Sequence, residues 1–248
     1  MSNNKNKKES EMQEFHDSAM HCLNRGLLDG ALFILRKNTE YYKSVLQLGE
    51  CYEKGIGVEK DNSIAQEWYR KAVTLIEKRI EEEHSAEDYF ELGVCYRKGE
   101  GVEQDNSKAV ELYTIAAQKG YLSAKHNLGI MYVNGLGVEK DEKKAFDLFK
   151  ECAEEGFIES MFLLGEAYFN GTGVEQDYNE AVLWYKRAAE KGEPDSMVHL
   201  GYCYQEGIGV EEDIDTAWDY IYKAAELGWQ PAIDILDDAG LLEDEEST

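Results

Sequence analysis

Basic residues, proline and long apolar runs are scarce in this chain of 248 residues, and each shortage excludes a class of protein. Lys and Arg number 26 against 51 Asp and Glu, which gives a net charge of −25 at pH 7. This charge repels nucleic-acid phosphates and anionic membranes, because both are recruited by basic patches. No apolar run reaches membrane-spanning length, and none follows the cations of the N-terminus, so we expect neither a membrane helix nor a signal peptide.

Cysteine is sparse as well. The five cysteines are an odd number at wide spacing, unlike the dense, even disulfide framework of a small secreted domain. They predict free thiols in a reducing compartment, and we expect a cytoplasmic protein. With only two prolines, and with 43% hydrophobic residues, the composition is typical of a folded, helix-rich chain.

The chain contains an internal repeat. The phrase Leu-Gly, two residues, Tyr, two residues and then Gly-x-Gly-Val-Glu-x-Asp occurs five times. Its Leu-Gly glycines are Gly49, Gly93, Gly129, Gly165 and Gly201. The last three intervals are 36 residues each and the first is 44, so we expect one extended helix in the first repeat. A period of this length is typical of stacked repeats rather than of one closed core.

Each repeat has the pattern of two helices. Apolar residues recur three and four apart on both sides of the Gly-x-Gly loop. Gly135 is suited to end a first helix with positive φ, and Asp141 is suited to cap the second. The predicted fold is therefore all-α: a superhelical solenoid of five helix-turn-helix repeats at 43–228. We expect a disordered basic N-terminus at 1–16, a degenerate capping pair of helices at 17–42, and a capping helix with an acidic tail at 229–248.

The five segments LGECYEKGIGVEKD, LGVCYRKGEGVEQD, LGIMYVNGLGVEKD, LGEAYFNGTGVEQD and LGYCYQEGIGVEED resemble the Sel-one-like repeat, a relative of the tetratricopeptide repeat. The resemblance implies an adaptor or scaffold for protein complexes, and not an enzyme. A cysteine-rich branch of that family has paired cysteines in each repeat and has been linked to weak penicillin hydrolysis. Cys51, Cys95 and Cys203 are unpaired at a position that Met131 and Ala167 share, which favours a packing role.

Patterns that would carry chemistry are weak in this sequence. The Gly-x-Gly loops join helix to helix and lack the Lys-Ser/Thr ending of a phosphate-binding loop. The repeated Glu-x-Asp lacks the ligand spacing of an EF-hand, and the five histidines have no zinc-ligand spacing. We therefore expect no catalytic residue, metal or cofactor, and no small-molecule substrate.

A recognition surface is expected where equivalent positions vary among the repeats. By analogy with tetratricopeptide repeats, the first helices line the concave side, and the inward positions lie three before, one after and four after the Leu-Gly glycine. The candidate partner-binding residues are Phe90, Val94, Arg97, His126, Ile130, Val133, Phe162, Glu166, Phe169, Tyr202 and Gln205, with Lys43, Glu87, Glu159 and Asp195 at the rim. An alternative is that individual aromatics among them complete the core between repeats.

The functional hypothesis is a non-catalytic interaction module that binds an apolar, basic segment of a partner protein in the concave groove. A second hypothesis is an immunity-type inhibitor of a basic toxin or effector, and the sequence does not separate the two. A weak hydrolase resembling a β-lactamase is the alternative of another class. The absent paired cysteines and the absent nucleophile-base grouping count against it.

Overall fold

The computed structural model describes residues 2–241, and for residues 2–6 it describes the backbone alone. This part of the chain contains α-helices and no β-strand. The helices are α1 Ser2–Asn24, α2 Leu28–Lys37, α3 Tyr42–Lys54, α4 Asn62–Glu83, α5 Ala86–Lys98, α6 Asn106–Gln118, α7 Leu122–Asn134, α8 Glu142–Glu154, α9 Ile158–Asn170, α10 Tyr178–Ala189, α11 Pro194–Glu206, α12 Ile214–Glu226 and α13 Gln230–Asp238. The predicted all-α repeat fold is confirmed: α3 to α12 form the five helical pairs. None of the helices within residues 2–241 is both long and apolar enough to cross a membrane.

The chain divides into two compact units, residues 1–124 and 125–248. In the first unit, α1 and α2 form a pair ahead of the repeats, and buried clusters around Leu48 and Leu92 join successive helices. In the second unit, buried clusters around Leu164 and Leu200 do the same, and α13 packs on α12. Much of the acidic tail expected after α13 lies outside the described residues.

The loops within the helical pairs have the geometry that their sequence predicts. Gly135 and Gly171 follow the first helices with φ of +65° and +71°, a left-handed conformation that glycine adopts without strain. Asp141 and Asp177 cap the second helices, and the Asp177 carboxylate accepts hydrogen bonds from the backbone N–H groups of Asn179 and Glu180.

The Leu-Gly glycine of each first helix leaves room for a side chain of the second helix. A Cβ added to Gly165 would lie 2.6 Å from the Tyr185 ring, which is fully buried. The residue twenty positions after the glycine occupies this place in every repeat, and we call it the floor side chain. The floor side chains are Tyr69, Tyr113, Phe149, Tyr185 and Ile221.

The extended helix expected from the first interval is α4, which has 22 residues against 13 in α6. Its last turns contact α1, where Arg79 pairs with Glu9, and Arg79 also pairs with Asp88 of α5 at 3.0 Å. In addition, the Asn38 side-chain amide donates to the carbonyl of Met12. These contacts hold α1 at Glu9 and Met12, within the segment 1–16 that the sequence predicts to be disordered.

Candidate functional site

The floor side chains of the first unit hydrogen-bond to the first helices. The Tyr69 hydroxyl donates to a carboxylate oxygen of Glu53 over 3.1 Å, and Arg97 Nε donates to the Tyr113 hydroxyl over 3.3 Å. Glu53 and Arg97 both lie four positions after the Leu-Gly glycine. The candidate residue Arg97 is therefore held against the floor of its own repeat.

A cavity of about 330 Å³, here called the polar cavity, opens between α3 and α5 above Tyr69. The candidate residues Lys43 and Val94 line it. Its charged lining also includes carboxylates and lysines that were not on the list of candidates: Glu50, Glu53, Glu91, Glu100, Lys54 and Lys98. These charges are partly paired with each other, because Lys54 lies 2.5 Å from Glu50 and Lys98 lies 3.1 Å from Glu100.

Glu91 is a carboxyl of the polar cavity whose pKa lies close to neutral pH. It is half-buried, burial raises its pKa to about 7, and the negative charge of Glu87 adds to the rise. Lys43 and Lys98 oppose the shift. Sequence reasoning missed Glu91 because its position, two before the Leu-Gly glycine, was outside the three columns chosen.

A second cavity, of about 380 Å³ and here called the apolar cavity, lies in the second unit among α7, α8 and α9. The candidate residues Ile130, Val133 and Glu166 line it above the floor side chain Phe149. The rest of its lining is Asn134, Glu142, Phe146, Leu163, Ala167, Asn170 and Thr172. Its apolar part comes from α8 as well as from the first helices, whereas the sequence predicts a surface of first helices alone.

A third cavity, of about 330 Å³, lies among α11, α12 and α13. The candidates Tyr202 and Gln205 line it, together with Trp218, Ile221 and Ile235. Tyr202 is 50% exposed, which makes it the most accessible of the four aromatic candidates.

The candidates three positions before the glycine pack between helical pairs. Phe90 contacts the rings of Tyr113 and Tyr121, and Phe162 contacts Tyr185 and His199. Both phenylalanines are half-buried, in keeping with a contribution to the core between repeats as well as to a surface.

The candidates His126 and Phe169 make similar packing contacts. The His126 ring lies against Phe149 and Phe157, its Nδ1 is 2.9 Å from the Ser160 hydroxyl, and burial lowers its pKa. Phe169 contacts Tyr178 and Tyr185. A neutral, packed His126 is a poor source of positive charge for this surface.

The rim candidates differ in their surroundings. Lys43 pairs with Glu87 at 2.7 Å, and Glu159 is exposed. Asp195 is half-buried, and burial raises its pKa, with a further contribution from Glu193. Glu159 is therefore the rim carboxylate most open to a partner.

Glu166 is held in place by its neighbours in the second unit. Its carboxylate accepts a hydrogen bond from the Tyr185 hydroxyl and lies 3.3 Å from His199 Nε2. It therefore contacts the floor of the fourth repeat while it lines the apolar cavity.

The cysteines and the acidic side chains form no reactive or metal-binding group in the described part of the chain. Within residues 2–241, no cluster of three or more His, Cys, Asp or Glu is arranged to hold a metal ion. The free thiols of Cys95 and Cys203 are buried, and burial raises their pKa to about 12 and about 11. Protonated, buried thiols of this kind are poor nucleophiles.

Comparison with known proteins agrees with the repeat geometry. A Sel1 repeat protein from Oxalobacter formigenes is 29% identical over 94% of this chain and 92% of its own, with a TM-score of 0.63. A protective antigen of uropathogenic Escherichia coli with an SLR fold is also 29% identical, with a TM-score of 0.61, over 98% of this chain and 52% of its own. An immunity protein from Pseudomonas aeruginosa is 19% identical over 90% of this chain and 84% of its own, with a TM-score of 0.58, and shows a similar fold.

No protein with a curated description matches the chain. The family model of the Sel1 repeat matches five times, at residues 43–75, 86–121, 122–157, 158–193 and 194–229. These matches cover more than half of the chain and coincide with the five helical pairs. The chain belongs to the Sel1 repeat family.

Proposed function

We propose that this protein is a non-catalytic interaction scaffold that binds an apolar, basic segment of a partner protein along the first helices of its repeats. Sel1 repeat proteins are in general scaffolds for protein interaction. The partner chemistry is inferred from the surface of this chain.

The observation that supports the proposal is that the polar, apolar and third cavities share one position in their repeats. Each opens beside first helices above floor side chains, where the columns one and four after the Leu-Gly glycine meet the second helices. Val94, Val133 and Tyr202 each line one of them. A small concave site with apolar walls and few polar groups, such as the apolar cavity, is typical of surfaces that accept a side chain of a partner segment.

The charge of the chain supports a basic partner. The whole chain carries a net charge of −25, and the rim carboxylate Glu159 is exposed. Complementary charge steers association and selects partners, whereas apolar anchors hold the bound state. We therefore expect a segment that combines lysine or arginine with apolar side chains.

Site-specific photo-crosslinking tests the binding face. A photoreactive amino acid replaces Tyr202 or Gln205 on the first helix α11 and, as matched controls, Leu183 or Tyr222 on second helices. The control side chains are 40% and 39% exposed, so they are as accessible to a partner as most of the face. Partner crosslinks from α11 alone are expected. Crosslinks from the control positions alone would contradict the proposal.

The second candidate is an inhibitor of a basic toxin or effector, which the net charge of −25 also favours. The similarity to the Pseudomonas immunity protein concerns the fold alone. The two functions differ in their effect on the partner, because an inhibitor blocks the activity of the protein it binds. An activity assay of the crosslinked partner, with and without this chain, distinguishes them.

A further inference from the structure

The apolar cavity lies in a repeat that lacks the polar pair found at this place in the first two repeats. In the first repeat the floor hydroxyl of Tyr69 is bound by Glu53, and in the second that of Tyr113 is bound by Arg97. In the third repeat the floor side chain is Phe149. The residue four after its Leu-Gly glycine is Val133, so the hydroxyl and its partner are both missing.

With Phe149 and Val133 in place of the polar pair, the cavity has apolar walls. The cavity of about 380 Å³ is within the range of about 300–1,000 Å³ that is typical of sites that bury a ligand. Ile130, Leu163 and Phe146 complete the apolar wall around Phe149. A polar side chain entering this space would lose its hydrogen bonds to water, whereas an aliphatic or aromatic one would gain contacts.

The rim of the apolar cavity offers hydrogen-bond acceptors. Asn134 and Asn170 occupy the same position of α7 and α9, and their amide nitrogens donate to the carbonyls of Ile130 and Glu166 over 2.9 and 3.1 Å. Each amide is therefore oriented by its own helix, and its oxygen has no partner within the described residues. The carboxylates of Glu142 and Glu166 lie on the same rim, with Lys140 paired to Glu142 at 2.7 Å. Acceptors of this kind suit the N–H groups of a peptide backbone and the cations of lysine or arginine.

We infer that the apolar cavity is the anchor site for one leucine- or phenylalanine-sized side chain of a cationic partner segment. This inference rests on the proposed function and adds to it the place and the size of the main anchor. Phe149 and Val133 select the side chain, and the acceptors of the rim select the donors beside it.

A host-guest series of peptides tests the inference. The probes are short, amidated peptides of alternating lysine and alanine whose central residue is Leu, Phe or Ala. Binding is followed by fluorescence anisotropy at low and high salt, and the methyl resonances of Ile130, Val133 and Leu163 are followed by NMR in the full chain. We expect the Leu and Phe guests to bind about tenfold or more tightly than the Ala guest, and to shift these methyl resonances.

A double variant provides the matched test in the protein. Val133→Glu with Phe149→Tyr installs in the third repeat the pair that Glu53 and Tyr69 form in the first. It should reduce the preference for Leu over Ala to about twofold or less, and the salt-dependent binding of the lysines should persist. Leu183→Glu, an equal change of charge on an exposed second-helix position, should leave the preference unchanged.

The outcomes distinguish a failure of the anchor site from a failure of the proposed function. Equal binding of all guests, with salt dependence but unshifted methyl resonances, overturns the anchor site and leaves the scaffold function standing. No binding of any guest at low salt overturns the proposed function, and the inference with it. If the double variant does not fold, the guest series and the methyl shifts of the unaltered chain decide the question.

Discussion

At the scale of single residues, Gly165 shows how the two helices of a repeat pack closely against each other. A methyl group there would overlap the buried ring of Tyr185, so Gly165→Ala should lower the free energy of unfolding by about 1–2 kcal/mol despite the better helix propensity of alanine. The matched control is Gly30→Ala in α2, where a Cβ would have nothing within 4 Å. That change should raise the free energy of unfolding by up to about 1 kcal/mol. Urea unfolding of both variants measures the difference. An unchanged free energy of unfolding in Gly165→Ala would contradict the close packing of Gly165 against Tyr185.

Glu91 predicts a dependence of stability on pH. Its carboxyl has a pKa of about 7 in the folded chain against an ordinary value of 4.5, so between these values it is protonated when folded and ionised when unfolded. The folded state then binds more protons, and its stability falls as the pH rises through this interval. Glu91→Gln should therefore stabilise the chain by on the order of 1–2 kcal/mol at pH 7.5 and by little at pH 5.

Urea unfolding of the Glu91→Gln variant and the unaltered chain at the two pH values measures this difference. Glu87, Asp88, Lys43 and Lys98 are the charges that act on Glu91, and they remain in place in both proteins. An equal effect of the substitution at pH 5 and pH 7.5 would show that the carboxyl is ionised throughout.

Of the residues discussed at this scale, the floor side chains could be predicted from the sequence and the pKa of Glu91 could not. The five Leu-Gly glycines were visible as a repeat, and the ring twenty positions later recurs in four of the five units. That spacing was a usable signal for the floor side chains. The altered pKa of Glu91 had no such signal, because it depends on burial between helices that lie far apart in sequence.

At the scale of helices, the loop glycines differ in what surrounds them. Gly173 has φ of +71°, and a Cβ there would overlap the backbone carbonyl of Glu142, so the loop of the fourth repeat lies against α8. Gly192 has φ of +88° with nothing within 4 Å. Gly192→Ala should lower the free energy of unfolding by roughly 1 kcal/mol through backbone strain alone. Gly173→Ala should lower it clearly more, because the added Cβ also overlaps the backbone of α8. Thermal melts of the two variants compare them, and equal losses would show that the loop does not contact α8.

The extended helices α1 and α4 depend on Arg79. It contacts Glu9 of α1 and Asp88 of α5, and Asp88 is fully buried. Arg79→Met should destabilise the chain by about 3–5 kcal/mol, because it leaves the Asp88 charge buried without its partner. Serine stands at the equivalent buried positions 44, 160 and 196. Adding Asp88→Ser to Arg79→Met should therefore recover more than half of that loss.

Chemical denaturation of the single and double variants measures this recovery. No recovery in the double variant would show that the destabilisation comes from the lost contact with α1. The interval of 44 residues predicts the extended α4, and the capping pair expected at 17–42 includes the end of α1, whereas the first part of α1 was expected to be disordered. The N-terminal segment MSNNKNKKES has no apolar stripe in its sequence, and within α1 it is Glu9 that pairs with the distant Arg79.

At the scale of the whole molecule, the repeat period was enough to predict the fold, because each helical pair depends on a local pattern that recurs. The cavities were not predictable in the same way. The apolar cavity combines α7, α8 and α9, and two of its lining residues, Val133 and Phe149, depart from the polar pair of the first two repeats. The predicted face of partner-binding residues stays a prediction, with Tyr202 exposed and Phe90 and Phe162 half-buried in the packing.

The net charge of −25 predicts how a basic partner should approach. Charges steer association over about 8 Å at physiological ionic strength, whereas dissociation depends on the buried anchors. Glu159→Lys on α9 and Glu190→Lys after α10 change the net charge equally, and both side chains are exposed. If the partner docks on the first helices, Glu159→Lys should slow association of the lysine peptides severalfold at low salt, and Glu190→Lys should slow it less.

Stopped-flow measurements at low and high salt test this prediction. At high salt the association rates of the two variants should become equal, and the dissociation rates should be unchanged at both salt concentrations. Equal slowing by both variants would place the attraction in the overall charge, with no preference for the first helices.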